Sequence, residues 1–461
     1  MLRIVQRKFS SIFAKELTYE QRMAVISSFE NPLPDYKINY VRASKEEYTD
    51  IKTNNGIQLI LETPQIPSYV TISMFLKAGV GIESKSSSGY LNWLENSIIS
   101  RLQAYPKILN NTKIDFDRDL FVVKSACMGY QTEEFVTILS SCFDNLALSN
   151  QVLQDLEYPA DSNEDIEELL VQTAYSNTGY GKPIRGFKAN FEDKIPFSIE
   201  AHSLHEKVIR PDNFFISVSG VYNVSEFVKI VESNFSYMKG KDQAPYPDIK
   251  SKSPYTGGMF EKPLRDKRKQ ILNTEMDMDA NQFGVCYEVP GIANKIFYDL
   301  LVLESLIGEA SYFASGGPGK GMYAHASQIL RECYPSTSVK TFKELFSKSG
   351  LFGIVLKGVN NSFPLLYKHG MAEIADLKKQ IDDAELDRAK NILKSKLLMN
   401  LERQYDRTEE IGRNYIHNNG NITVHSYIDK IDEVTVDSVH SAVMDMCNSK
   451  PTLVSVGASK M

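Results

Sequence analysis

The chain has 461 residues, of which 42% are hydrophobic, 24% charged and 10% aromatic; 52 basic residues against 58 acidic ones leave a formal charge of −6. That length suits two or more domains rather than one core, and the acidic balance argues against a nucleic-acid binder while leaving room for a basic partner. The longest apolar stretches are broken by Lys77 or by Asp299 and Glu304, short of the roughly 18 to 20 uninterrupted residues of a membrane span. The five scattered cysteines include no C-x-x-C pair, which speaks against a disulfide framework or a cysteine zinc site and fits a reducing compartment.

In chain order, "MLRIVQRKFSSIFAK" carries Arg3, Arg7, Lys8 and Lys15 with no acid before Glu16. This is the composition of a mitochondrial transit peptide. Residues 1–15 are therefore read as a presequence and 16–50 as a polar extension. "TDIKTNNGIQLILETP" predicts two short strands around the Asn55-Gly56 turn, and "SYVTISMFLKAGV" a third, half-buried one. A helix follows from "SGYLNWLENSI". "RPDNFFISVSG" predicts a buried strand closed by Gly220 and followed by an amphipathic helix; a near copy, "KPTLVSVGAS", ends the chain. "NQFGVCYEVPG" and "IFYDLLVLESLIG" restate the order of strand, then helix. The expected fold class is α+β, two homologous domains at 51–238 and 264–461, each an antiparallel or mixed sheet packed with helices. The Lys-, Pro-, Gly- and Ser-rich stretch 239–263 is assigned as the linker.

Three features carry chemistry. On the first helix, Asn92-x-x-Glu95-Asn96 has the outline of H-x-x-E-H with both histidines replaced, and the three residues cluster opposite the apolar face of Leu91, Leu94, Ile98 and Leu102. In the intact motif the histidines hold zinc and the glutamate polarises its water. Asparagine cannot replace imidazole, so by itself the pattern reads either as a lapsed site or as a polar helix face. The second feature is the run "YFASGGPGKGMY", with Gly316, Gly317, Pro318, Gly319, Lys320, Gly321 and Met322. Such a run is costly to order and suits mobility or close backbone approach to a ligand; Ala314 and Gly321 break the phosphate-loop pattern. Third, His202 and His205 are three apart on a predicted helix with no third ligand beside them in sequence. The acidic runs at 161–170 and 380–387 are solvated faces unless they line a cavity, where they would attract a basic peptide.

"GGPGKGM", followed by "SGLFGI" at 349–354, resembles the glycine-rich loop of the α subunits of mitochondrial processing peptidases, in the M16 metallopeptidase family. "NNGIQLILE", "LKAGVGIES", "TAYSNTGYGKPIRG" and "VIRPDNFFISVSG" agree in order, so the resemblance spans roughly residues 50–460. It implies that Asn92, Glu95 and Asn96 stand where catalytic relatives carry H-x-x-E-H. No metal or cofactor is then expected in this chain, and zinc is expected in a β partner. It further implies that residues 316–322 handle presequence peptides, in the mitochondrial matrix or on the matrix face of the inner membrane. Two departures are visible: Gly308-Glu309-Ala310-Ser311 stands where the family's loop has more glycines, and the segment around Asp155 and Glu157, where a third metal ligand would lie, is shortened. The same family supplies core subunits of the cytochrome bc1 complex (complex III). A scaffold role beside cytochrome b and cytochrome c1 is therefore the alternative.

Overall fold

The computed structural model describes residues 48–62, 69–144, 165–186, 194–221, 223–238, 253–263, 281–311, 324–332, 336–358, 363–377, 381–418 and 423–457. The basic N-terminus, Asp155, Glu157 and the glycine run 316–322 lie outside these residues.

Gly56, at φ +98°, makes the turn that joins β1 (Tyr48–Lys52) to β2 (Gln58–Glu62), and the two strands pair antiparallel as the sequence predicts. With β3 (Tyr69–Leu76), β4 (Thr112–Phe116), β5 (Phe121–Met128) and β6 (Phe214–Ser219) they form a six-stranded sheet A in the order β1-β2-β6-β3-β5-β4. Sheet B is also six-stranded: β7 (Gly258–Lys262), β8 (Asn281–Pro290), β9 (Glu309–Ser311), β10 (Ser336–Leu345), β11 (Ser349–Gly358) and β12 (Thr452–Val456), in the order β7-β12-β8-β11-β10-β9.

The sheets repeat one topology. In each, the last strand of its half (β6 or β12) runs parallel to one neighbour (β2 or β7) and antiparallel to the other (β3 or β8). The similarly patterned "FFISVSG" and "TLVSVG" are these two strands, and each ends on a glycine in the left-handed region, Gly220 at φ +94° and Gly457 at φ +91°. Strand β7 corrects one reading: Gly258–Lys262 falls inside the stretch 239–263 assigned as linker. It is an edge strand with mostly exposed side chains, held by main-chain pairing to β12. An edge of this kind needs no apolar alternation, so composition hides it.

The helices are α1 (Tyr90–Leu102), α2 (Pro106–Asn110), α3 (Thr132–Phe143), α4 (Ile166–Ala174), α5 (Lys194–Val208), α6 (Val224–Asn234), α7 (Ile296–Ile307), α8 (His325–Glu332), α9 (Phe363–Asp376), α10 (Asp383–Leu401), α11 (Gln404–Asn418), α12 (Val424–Asp432) and α13 (Val436–Cys447). One face of sheet A packs on α1, α3, α5 and α6, and one face of sheet B on α7, α9, α10, α12 and α13. The other faces are covered crosswise. Helix α4, from the first half of the chain, packs Ile166, Leu170 and Ala174 on sheet B. Helix α11, from the second half, places Ile411 against Ile60, Phe75 and Phe215 of sheet A.

Candidate functional site

Helix α1 begins at Gly89, which sits at φ +102° and brings no side-chain cap of its own. The cap comes from upstream: the buried Glu83 carboxylate accepts from the Gly89 N–H at 2.8 Å and the Leu91 N–H at 2.9 Å. Carboxylates suit a helix N-terminus, where free N–H groups and the dipole favour negative charge. Burial nevertheless outweighs these bonds and pushes the Glu83 carboxyl up to about 7. Lys182 donates its ammonium to the Glu83 carbonyl, so the turn at residues 179–186 is tied to the same corner.

That turn completes the motif. Gly186 adopts φ +87°, and a Cβ there would stand 2.6 Å from Gly89 Cα. Two glycines thus bring the turn into backbone contact with the helix start and set Arg185 beside the motif. Arg185 Nη1 donates to Asn92 Oδ1 at 3.2 Å and to Glu95 Oε2 at 3.0 Å, while Asn96 Nδ2 donates to the Asn92 carbonyl at 2.7 Å and to Asn92 Oδ1 at 3.3 Å. The Phe116 ring lies 5.6 Å from the guanidinium. Asn92, Glu95 and Asn96 are therefore brought together as the sequence predicts, but not as a solvated face: Asn92 is only 4% exposed and Glu95 half-buried, while Asn96 is exposed. Desolvation pushes the Glu95 carboxyl up, and Arg185 opposes it.

This donor set does not fit a zinc ion. Two ligand positions hold neutral amides, and the carboxylate and one amide oxygen already accept from a guanidinium. Among the described residues, no group of three or more His, Cys, Asp or Glu could hold a metal ion. Arg185 is the residue that sequence reasoning missed. It stands in the quoted "GKPIRG", but nothing in that stretch shows a side chain reaching helix α1 about ninety positions away.

The histidine pair separates. His205 is buried, its Nδ1 paired with the Tyr90 hydroxyl at 2.9 Å, and burial lowers it to about 4; His202 is exposed. In the first acidic run the described acids have structural partners: Asp165 caps α4, Glu167 pairs with Lys340 at 2.8 Å, and Glu168 pairs with the buried Arg118. Glu309–Ser311, the non-glycine stretch before the glycine run, is the edge strand β9, paired with β10.

Residues 200–393 match the family described as the peptidase M16 inactive domain. The match covers less than half of the chain; together with the fold it makes this chain similar to M16-type peptidases. It is also similar to a mitochondrial-processing peptidase subunit alpha of Solanum tuberosum, at 25% identity over 92% of this chain and 84% of the relative. An uncharacterized zinc protease of Rickettsia felis is 21% identical over 90% of this chain and 99% of its own. Among solved structures, a chain of complex III2 from Candida albicans superposes with a TM-score of 0.73 over 89% of this chain and 95% of that one; at 17% identity this bears on the fold alone. The family resemblance read from the sequence, and the α+β fold it implied, are borne out.

Proposed function

We propose that this chain is the non-catalytic α subunit of a mitochondrial processing peptidase. It pairs with a β subunit that supplies an intact H-x-x-E-H, its zinc and the glutamate base, and the two enclose a cavity in which an extended, basic presequence is held. Residues 316–322 act as the clamp that presents or retains the peptide. The observation that carries this reading is similarity to α subunits over nine-tenths of the chain. The motif helix supports it, since Asn92, Asn96 and Arg185 leave it without metal ligands of the required kind. The place of work is the mitochondrial matrix, or its face of the inner membrane.

A second reading is favoured by the complex III superposition, which covers 95% of that chain: a core subunit that serves as scaffold beside cytochrome b and cytochrome c1. One experiment separates them. Native complexes are resolved from gently solubilised mitochondria and the partners of this chain identified. A soluble pair with one H-x-x-E-H partner that cleaves a synthetic presequence supports the processing subunit. Co-migration with cytochromes b and c1 without cleavage supports the scaffold. Deleting residues 316–322 should depress cleavage while leaving the partner's zinc in place; unchanged cleavage removes the clamp.

A further inference from the structure

We propose that the Arg185 guanidinium is a built-in cation at the motif: it staples helix α1 to the turn at residues 179–186 and bars a metal ion from this helix independently of the two asparagines. The inference stands whether the chain processes peptides or scaffolds a complex.

Its basis is geometric. A metal held by side chains at positions 92 and 96, with the position-95 carboxylate beside it, would share the space into which Arg185 Nη1 points, 3.2 Å from Asn92 Oδ1 and 3.0 Å from Glu95 Oε2. The guanidinium is the only side chain among the hydrogen bonds described for this motif that reaches both residues from another element. It is placed from several sides: the Gly186 and Gly89 backbones touch, the Ile184 N–H donates to Glu168 at 3.0 Å, and the Phe116 ring flanks the charge. Arginine does not lose its proton in a protein and suits fixed, forked contacts. Unlike zinc it is tethered to the chain, so chelation cannot remove it. Two cations a few ångströms apart exclude each other. Arg185 is 43% exposed, so solvent screens part of that repulsion.

The test uses the full chain and zinc alone, titrated against a zinc-binding dye, with four forms: unchanged, Arg185→Leu, Asn92→His with Asn96→His, and all three substitutions. The unchanged chain and Arg185→Leu should not bind. The triple form should bind at least about tenfold more tightly than the two-histidine form, the lower end of what a nearby, partly screened charge imposes. Equal binding by the two-histidine and triple forms overturns the proposal. Binding by neither also overturns it, because the bar then lies in the ligand set alone. A second measurement holds even where the triple form fails to fold. In Arg185→Gln, amide hydrogen exchange at residues 184–186 and 90–93 should quicken several-fold, and Arg185→Lys should restore part of the protection. Unchanged exchange in Arg185→Gln removes the staple.

Discussion

Helix α4 meets sheet B with Ile166, Leu169, Leu170, Val171 and Ala174 buried among Cys286, Phe342, Leu351, Val355 and Val454, whereas α11 meets sheet A through a small apolar patch around Ile411 and a row of polar pairs. On α11, Arg407 lies 2.8 Å from Glu62, an ion pair out of hydrogen-bond alignment; the Thr408 and Thr71 hydroxyls are 2.6 Å apart; Glu409 meets Lys124; and Arg413 reaches Asp117 at 2.7 Å. Both helices cross from one half of the chain to cover the sheet of the other. One crossing is made by apolar burial, which is non-directional and not screened by salt. The other adds to its apolar patch a row of paired charges, whose partners must be matched one by one. The halves are locked by two different chemistries, and conditions that disturb charge should loosen the second first.

The largest expected effect comes from breaking the buried pair on the α11 side. Arg407 and Glu62 are 8% and 2% exposed. Arg407→Met should destabilise by about 3–5 kcal/mol, because it strands a buried carboxylate. Adding Glu62→Met should return most of that loss, since well-packed apolar replacement of a buried pair is often neutral. Urea unfolding of the two variants checks this. Were the double variant as unstable as the single one, the pair would be serving packing rather than charge, and the contrast with α4 would weaken.

The pH dependence sharpens the same contrast, with two groups of opposite sign at the far end of α11. They face a cavity of about 210 Å³ lined also by Asp117, Glu344, Glu410 and Arg413. Asp119 accepts from the Ser347 N–H at 2.7 Å, yet burial and then the charge of Asp117 push its carboxyl up to about 6. The folded state then binds more protons than the unfolded one, so stability is lost as pH rises from about 4 to 6. His417 is lowered to about 4 by burial, so the folded state binds fewer protons and stability is gained as pH rises from about 4 to 6.5. Each shift is worth about 3 kcal/mol, and in the wild-type chain they largely cancel. Asp119→Asn should unmask a rising stability between pH 4 and 6.5, and His417→Gln a falling one. Unfolding midpoints at pH 4, 5, 6 and 7 read both slopes; a flat profile in either variant removes that group from the account.

A pair of glycines gives the next effect, because each crossing helix is admitted by one. A Cβ at Gly412 would stand 2.2 Å from Phe75 Cε2, a rigid ring packed in sheet A. A Cβ at Gly284 on β8 would meet Leu170 Cδ1 at 2.8 Å, the free end of a flexible side chain. Gly412→Ala should therefore destabilise by about 1–3 kcal/mol, and Gly284→Ala by less. Thermal unfolding of the two variants reads the order; the reverse order would mean that sheet B, not sheet A, holds its crossing helix more rigidly.

These crossings also mark where sequence reading stops. The turn at Asn55-Gly56, the strand and helix repeat, and the motif at 92–96 were legible because each is a local pattern of period, turn residue or spacing. The strand β7 was not, since an exposed edge held by main-chain bonds leaves no pattern. The apolar stripe of α4 is visible in "IEELLVQTA", but not that it covers the opposite sheet, and α11 reads as a polar surface helix because its partners are charges hundreds of residues away. Arg185 was missed for the same reason. A long-range pairing of charge has no period.

The smallest expected effect is the one that isolates the apolar crossing. Helix α4 does carry an ion pair to sheet B, Glu167 with Lys340, but Lys340 is 50% exposed at the rim. An exposed pair of this kind is worth at most about 1 kcal/mol and fades as salt screens it. Lys340→Ala should therefore change stability by no more than that at low salt and by nothing measurable at high salt. Leu170→Ala, by contrast, should lose about 2–5 kcal/mol at every salt concentration, because it removes buried methyl groups and leaves a cavity. The ratio of the two losses, measured by urea unfolding across a salt series, decides what holds α4. If Lys340→Ala matched Leu170→Ala, the rim charge would be the fastening and both crossings would share one chemistry. If the loss at Leu170 stays large and salt-independent, burial rather than the rim pair seats this helix on sheet B.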